Sequence, residues 1–390
     1  MPDDPSLPRL DPKDYGYGRF APRIWHGMTF QSLARLLRGN LGRITPDRYG
    51  VVASALVLSL GNSFLKAVSD LIYGRRLARV RIDPDPVFIL GYWRSGTTWL
   101  NQLLACDPRF ASPTGLQVFM PDGFLVARWG IKPFVGKWLP ETRPMDNVAL
   151  TVDTAEEDEV ALAISGAPSI LRSAAFPGHE VSDAAPFLSD LNPQARARWA
   201  HHWDAFLRKV QFVNPSKWLL LKSPGHTTRL PEILRRFPNA RFIYITRDPY
   251  KILQSATKTR LALSATQGLS SGGLDPDDAA RESFRRFRAF HDKFFDDQHL
   301  IPQGSLSFVK YEDLRENPVA EMRRIYDELG LGGFDTLEPR LRGYLDSLKG
   351  YQTNSYTLDP KLEERIWHEA RAYFDRFGYQ RLTDRPEVPA

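Results

Sequence analysis

Val87-Phe88-Ile89-Leu90-Gly91-Tyr92-Trp93-Arg94-Ser95-Gly96-Thr97-Thr98-Trp99 decides the fold of this 390-residue chain. Four apolar residues read as a buried strand, and two glycines bound a tight loop. Leu100, Leu103 and Leu104 then share one face of a helix. Strand, glycine-bounded loop and helix form the layout of a phosphate cradle, because loop N–H groups and the helix N-terminus point at the same anion. The spacing from Gly91 to Gly96 matches a P-loop, G-x-x-x-x-G-K-[ST], with one departure. Thr97 stands where the motif has lysine, while Thr98 keeps the hydroxyl. An NTPase without that lysine lacks its contact to the β- and γ-phosphates. A cation lies inside the loop instead, at Arg94. The segment therefore suits phosphate, but not the usual nucleoside triphosphate with magnesium.

Working outward, Trp218–Leu221, Phe242–Thr246 and Leu306–Val309 are further apolar runs. They are continuous rather than alternating, as expected of parallel strands covered on both faces. Helical patterns lie between and after them. One carries Trp199, Trp203, Phe206, Leu207 and Val210, and another spans Ala279–Phe295. A third starts at Asn317-Pro318, an N-cap and N1 pair, and stops at Gly330; a last one carries Ile366, Ala370, Tyr373 and Phe377. The alternation predicts an α/β, P-loop-like three-layer fold with a central, mainly parallel sheet and helices on both faces. Ligands of such sheets sit beyond the carboxyl ends of the strands. Arg94, Lys222 and Arg247 all fall there.

Composition, 42% apolar and 25% charged, is that of an ordinary globular protein. The net charge of +6 suits a polyanionic nucleotide as well as a plain basic surface. Without zinc-finger spacing or a dense basic run, nucleic acid is not the expected partner. A single cysteine, Cys106, excludes an intrachain disulfide. The first ten residues lack the order of a signal peptide, which favours a cytoplasmic chain. Val51–Leu60 is the most hydrophobic stretch, about half of what a bilayer span needs, and Gly61, Asn62 and Lys66 interrupt its extension. A helix over about residues 51–73 is expected to pack on the rest of the chain; peripheral contact with a membrane through residues 51–73 is the second reading. Ser264–Pro276, rich in glycine and serine, reads as a mobile segment, either connector or lid.

The run Arg94-Ser95-Gly96-Thr97-Thr98-Trp99 resembles the 5′-phosphosulfate loop of sulfotransferases, which take a sulfuryl group from 3′-phosphoadenosine 5′-phosphosulfate (PAPS). The resemblance implies a downstream site for the donor's 3′-phosphate. Arg241-Phe242-Ile243-Tyr244-Ile245-Thr246-Arg247-Asp248-Pro249, with Ser255 eight residues after Arg247, resembles it. Residues 86–390 then form a sulfotransferase domain, and 1–85 an N-terminal arm and helical extension.

The implied reaction is in-line transfer to a hydroxyl, less readily an amine, with no metal. The implied donor contacts are Arg94, Ser95, Gly96, Thr97, Thr98 and Trp99 at the 5′ end, and Arg247 and Ser255 at the 3′-phosphate. Arg94 also faces the sulfonate, and Lys222 the transferred group. The base stays open. Relatives use a His, or a Glu in the frame of residues 113–118, where this chain has Pro113-Thr114-Gly115-Leu116-Gln117-Val118. Glu157 and Glu159, in an acidic run at a helix start, and His226 are the candidates. Thr353-Asn354-Ser355-Tyr356 stands in for the donor-gripping loop, with Tyr356 as a contact, and Tyr311-Glu312-Asp313-Leu314 reads as structural. Aromatics from Phe119 to Trp138 (Phe124, Trp129 and Phe134 among them) line either core or an acceptor pocket for a small molecule, lipid or glycan. Self-association is compatible with all of this. The rival readings are an ATP-dependent kinase or NTPase with a degenerate loop, and a non-catalytic nucleotide-binding protein.

Overall fold

A computed structural model describes residues 12–385 apart from 16, 19–20, 131, 139–141, 144–145, 150, 182–183, 272 and 349–358. Five strands form the central sheet: β1 (Val87–Leu90), β2 (Phe110–Ala111), β3 (Trp218–Lys222), β4 (Arg241–Thr246) and β5 (Leu306–Lys310). Their order is β2-β3-β1-β4-β5, and every neighbouring pair is parallel. Ile89 lies between Lys222 of β3 and Ile243 of β4, so β1 is central. The two-residue β2 is too short to show a period in sequence.

The continuous apolar runs divide cleanly between two cores. Phe88, Leu90, Leu219, Leu221, Phe242 and Tyr244 face Trp199, Trp203 and Phe206. Val87, Ile89, Leu220, Ile243 and Ile245 face Leu100, Leu103, Met322 and Ile325 on the other side. With both faces buried, each strand needs an apolar residue at every position. The covering helices include α3 (Thr97–Leu104), α4 (Asp158–Ser165), α5 (Pro193–Val213), α6 (Pro249–Gln267), α7 (Pro276–Asp297) and α8 (Pro318–Glu328). Before the sheet come α1 (Phe30–Leu37) and α2 (Tyr49–Leu77).

Three sequence expectations are corrected. The pattern through Ile366 and Phe377 is not one helix: Ala370 leaves the helical region between Pro360–Glu369 and Arg371–Phe377. The break turns Tyr373 and Phe374 into the cluster around Tyr250 and Phe287. The start of Ser264–Pro276 is not mobile connector, because α6 runs to Gln267 and Leu269 is buried. Leu269 N–H donates to the Ala175 carbonyl (2.7 Å), and Trp25 Nε1 donates to the Gln267 carbonyl (2.6 Å). Finally, the helix expected over about residues 51–73 forms as α2, but Gly61, Asn62 and Lys66 do not hold its apolar length to half a bilayer span. Asn62 donates its amide to the His26 and Met28 carbonyls, and Lys66 pairs with Asp70 one turn on. The resulting helix is long and apolar enough, by length and composition, to cross a membrane.

Candidate functional site

The loop after β1 is wound tightly by its own residues. Gly91 (φ 141°) leaves no room for a side chain: a Cβ would lie 2.7 Å from the Ile245 carbonyl oxygen. Gly91 N–H donates to Thr227 Oγ1 (2.9 Å), whose hydroxyl donates back to the Gly91 carbonyl (3.0 Å). Arg94 itself has φ 72°, a left-handed conformation that costs a non-glycine residue on the order of 1–3 kcal/mol and clusters at functional sites. Gly96 (φ 100°) is the N-cap of α3, and a Cβ there would lie 2.3 Å from the Tyr311 ring. The first N–H groups of α3 have no partners within the helix, so the loop ends in an anion site.

The two phosphate motifs meet. Arg94 Nε donates to Ser255 Oγ (2.8 Å), and Arg247 Nη1 donates to the Arg94 carbonyl (3.0 Å). The Arg247 guanidinium lies 4.2 Å from the centre of the Tyr311 ring, and its backbone N–H donates to Tyr373 Oη (3.2 Å). Trp99 meets the same Tyr311 ring edge to face at 5.8 Å. Tyr311, read in sequence as a packing residue, is thus the platform on which loop and 3′-site motif both rest. Ser95 serves the loop's shape, since its buried hydroxyl is given to the Tyr92 carbonyl (2.7 Å).

Lys222 ends β3, and its side chain is fully enclosed. Its ammonium donates to Glu157 Oε1 (2.9 Å) and reaches Thr98 Oγ1 (3.5 Å) in the first turn of α3. Glu157 is the N-cap residue of α4 and keeps 16% of its side chain exposed. A buried ammonium, a partly open carboxylate and a helix N-terminus therefore share one spot. The segment 113–118, which holds no carboxylate, lies beside this carboxylate's own strand of chain. Leu116 N–H donates to the Val152 carbonyl (2.8 Å), and Glu156 N–H to the Pro113 carbonyl (2.8 Å).

The other two base candidates, Glu159 and His226, are placed in buried pairs away from Lys222. Glu159 is fully buried, held by Arg229 through both oxygens (2.6 and 3.2 Å) and by the Ser169 hydroxyl (2.7 Å). His226 is equally buried, its Nε2 paired with Asp158 at 2.9 Å. The cationic neighbourhood of His226, with hydrogen bonds from His226 and Trp203, outweighs burial and holds the Asp158 carboxyl below its ordinary range. Glu159 engages both oxygens with Arg229 and Ser169, whereas His226 pairs only Nε2 with Asp158 and keeps a buried Nδ1 with no hydrogen-bond partner among the described residues. Tyr356, with the rest of 353–356, lies outside the described residues.

On the stretch from Phe119 to Trp138, the core alternative describes Phe119, Met120 and Phe124. Phe124 is core, Phe119 and Met120 pack against it, and Trp129 is exposed; the side chains of Phe134 and Trp138 lie outside the described residues. A cavity of about 530 Å³ opens elsewhere, between Tyr92-Trp93, the segment 170–179, α6 and α7. Trp93 and Ala256 line it, each the immediate neighbour of a donor-site residue, Arg94 and Ser255. Ile170, Leu171 and Leu263 give it apolar wall, and Arg260, Arg285 and Arg286 give it cations. Sequence reasoning missed this wall because it comes from four separate segments.

Fold and site together are those of a group-transfer enzyme whose loop carries Arg94 where a P-loop NTPase relies on its lysine. Residues 86–335 match the model of the sulfotransferase family. The chain is 33% identical over 372 residues to the omega-hydroxy-beta-dihydromenaquinone-9 sulfotransferase Stf3 of Mycobacterium bovis, covering 94% of each. It is 27% identical over 117 residues to human carbohydrate sulfotransferase 6, covering 28% of this chain and 29% of that one. Its fold is similar to the crystal structure of sulfotransferase STF9 from Mycobacterium avium, with TM-score 0.67, 19% identity and coverage of 94% and 95%. The chain belongs to the sulfotransferase family, and it is an enzyme that uses a sulfate-donor co-substrate.

Proposed function

We propose that the donor is PAPS and that the chain transfers its sulfuryl group to a hydroxyl of an amphiphilic or lipid acceptor held in the cavity beside Trp93. The observation that carries the donor reading is the joining of Arg94, Ser255 and Arg247 across more than 150 residues of chain. That arrangement fits the group: two guanidinium groups and a hydroxyl flank a helix N-terminus, and Arg binds oxyanions bidentately. The donor brings an activated sulfonate; the chain's own residues bind and orient it. Lys222 is the cation at the bond to be broken. Glu157, on the same ammonium, takes the acceptor proton through its open oxygen.

The donor reading is tested by thermal unfolding with 3′,5′-bisphosphoadenosine. A ligand binding only the native state at about 100 times its dissociation constant adds about 2.7 kcal/mol. The wild type is expected to shift upward, and Arg247→Ala to lose the shift. A shift only with ATP and magnesium would replace this reading with that of a kinase.

The acceptor reading is supported by the cavity and by what the lipid-modifying relative's name says of that protein. One wall residue adds chemistry. Arg260 lines the cavity and gives its Nε–H to the Ser283 hydroxyl (3.3 Å) rather than to a carboxylate. Burial and the neighbouring Arg286 lower its pKa to about 10, so it stays cationic at neutral pH. An acceptor oxygen against Arg260 would restore the lost solvation. Charged hydrogen bonds contribute about 1.5–3 kcal/mol, so Arg260→Gln is expected to raise the acceptor KM by roughly 10- to 150-fold. Bisphosphate binding, measured by the same thermal shift, should not move. An unchanged acceptor KM would remove Arg260 from acceptor recognition.

A further inference from the structure

We propose that the outer face of α2 lies in the plane of an acidic lipid surface, with Phe30 and Trp129 beside it, and that this surface delivers the acceptor to the cavity. The proposal rests on the lipid-acceptor reading above. On that face Val57 is 70% exposed, Leu60 60%, Phe64 69% and Leu71 86%. These positions recur every three or four residues, or two turns apart, so they form one stripe along a helix of about 43 Å. Between Tyr49 and Gly74 the helix has only two charged residues, Lys66 and Asp70, and they pair with each other.

Two other elements extend the stripe. Phe30, 48% exposed, is fixed against the middle of α2 by its N–H bond to Ser63 Oγ (2.9 Å). Trp129, 75% exposed, is fixed against its end by Nε1 donating to Tyr73 Oη (3.3 Å). An exposed tryptophan whose ring nitrogen has a polar partner is the residue type that settles at a lipid–water boundary.

Charge selects the occupant. Residues 30–82 hold nine basic and two acidic residues, a net of +7 against +6 for the whole chain. This segment thus carries all of the protein's excess positive charge. The cations flank the apolar stripe: Arg38 and Arg43 before it, Arg75, Arg76, Arg79 and Arg81 after it. Apolar centre and cationic ends match an acidic headgroup layer. A second copy of the chain would bring the same cations against themselves. A spanning orientation is disfavoured by the inner face of α2. There Val51, Val52, Ala55, Tyr73 and Leu77 are packed, and Asn62 holds two carbonyls of residues 26–28.

The surface and the cavity share a layer of structure. Val51, Val52 and Ala55 pack against Ala175, Phe176 and Val181. The same segment lines the cavity through Ile170, Leu171, Ala174 and Pro177. The cavity wall therefore lies one packed layer of side chains from α2.

The test is flotation of the full chain with vesicles of phosphatidylcholine and phosphatidylglycerol, with no donor or acceptor present. Wild type is expected to float with the vesicles, and the double substitution Phe64→Ser/Leu71→Ser to partition at least tenfold more weakly. Both positions are exposed, and an unchanged bisphosphate thermal shift in the variant verifies its fold. Wild type that stays with the protein fraction overturns the proposal. So does a dimer in vesicle-free solution that the same pair of substitutions dissolves, which assigns the stripe to a second copy. Resistance of the expressed chain to alkaline extraction from membranes overturns it in favour of a spanning helix. Flotation without any lipid sulfation would leave the surface standing and remove the lipid-acceptor reading instead.

Discussion

Lys222→Met is expected to lower the single-turnover rate of sulfuryl transfer by about 10²–10³-fold, the usual cost of removing a preorganised group from developing negative charge. The ammonium is fully enclosed and 3.5 Å from Thr98 Oγ1 in the first turn of α3, where the loop would hold the donor. Fixed inside low-dielectric surroundings, it needs no reorganisation as charge builds on the leaving oxygen. Glu157→Gln removes the proposed proton acceptor while keeping its shape, and should cost about 10²–10⁴-fold. Because Lys222 and Glu157 touch at 2.9 Å, the two losses should not add. The double variant is expected to be little slower than the worse single one. Bisphosphate binding should survive in all three variants, since Arg94, Ser255 and Arg247 are untouched. A Lys222→Met enzyme within threefold of wild type would end the assignment of Lys222 to the reacting bond.

The loop after β1 and the Arg247–Ser255 pair that meets it were legible in sequence because their determinants are local. Gly91 and Gly96 sit where φ is positive and where a Cβ would strike Ile245 or Tyr311. Apolar runs flank them because both sheet faces are covered. The spacing of Arg247 and Ser255 reflects one strand end and one helix face, which chain order fixes. What lay hidden depends on distant partners. Asn62 inside α2 reads only as an interruption of the apolar run until the His26 and Met28 carbonyls supply its hydrogen bonds. The cavity wall draws on residues 92–93, 170–179 and two helices, so no window of sequence contains it. The acidic run 156–159 shows the limit most plainly. Successive residues of a helix point about 100° apart. Of the four acids in the run, Glu157, Asp158 and Glu159 therefore enter three surroundings, and pattern alone cannot say which.

The structure separates these neighbours, and their substitutions should fail in different ways. Glu159 is buried and accepts from both Arg229 and Ser169, whereas Glu157 is partly open beside Lys222. Glu159→Ala leaves the Arg229 guanidinium, 2% exposed, without its carboxylate. Breaking a buried pair on one side costs about 3–5 kcal/mol, against total stabilities of roughly 5–15 kcal/mol. Denaturant unfolding is therefore expected to show a large loss of midpoint for Glu159→Ala. The surviving folded fraction should still turn over at a rate near that of the wild type. Glu157→Ala should show a collapsed rate in the folded protein. Its midpoint should fall as well, because the enclosed Lys222 ammonium is left without a carboxylate, so the rate of the folded fraction is what separates the two variants. Replacing both Glu159 and Arg229 by apolar residues of similar volume should recover much of the stability, since a packed apolar pair can equal a buried ionic one. If Glu159→Ala instead folded normally and lost transfer, the carboxylate facing Arg229 would be the base, and Glu157 would merely neutralise Lys222.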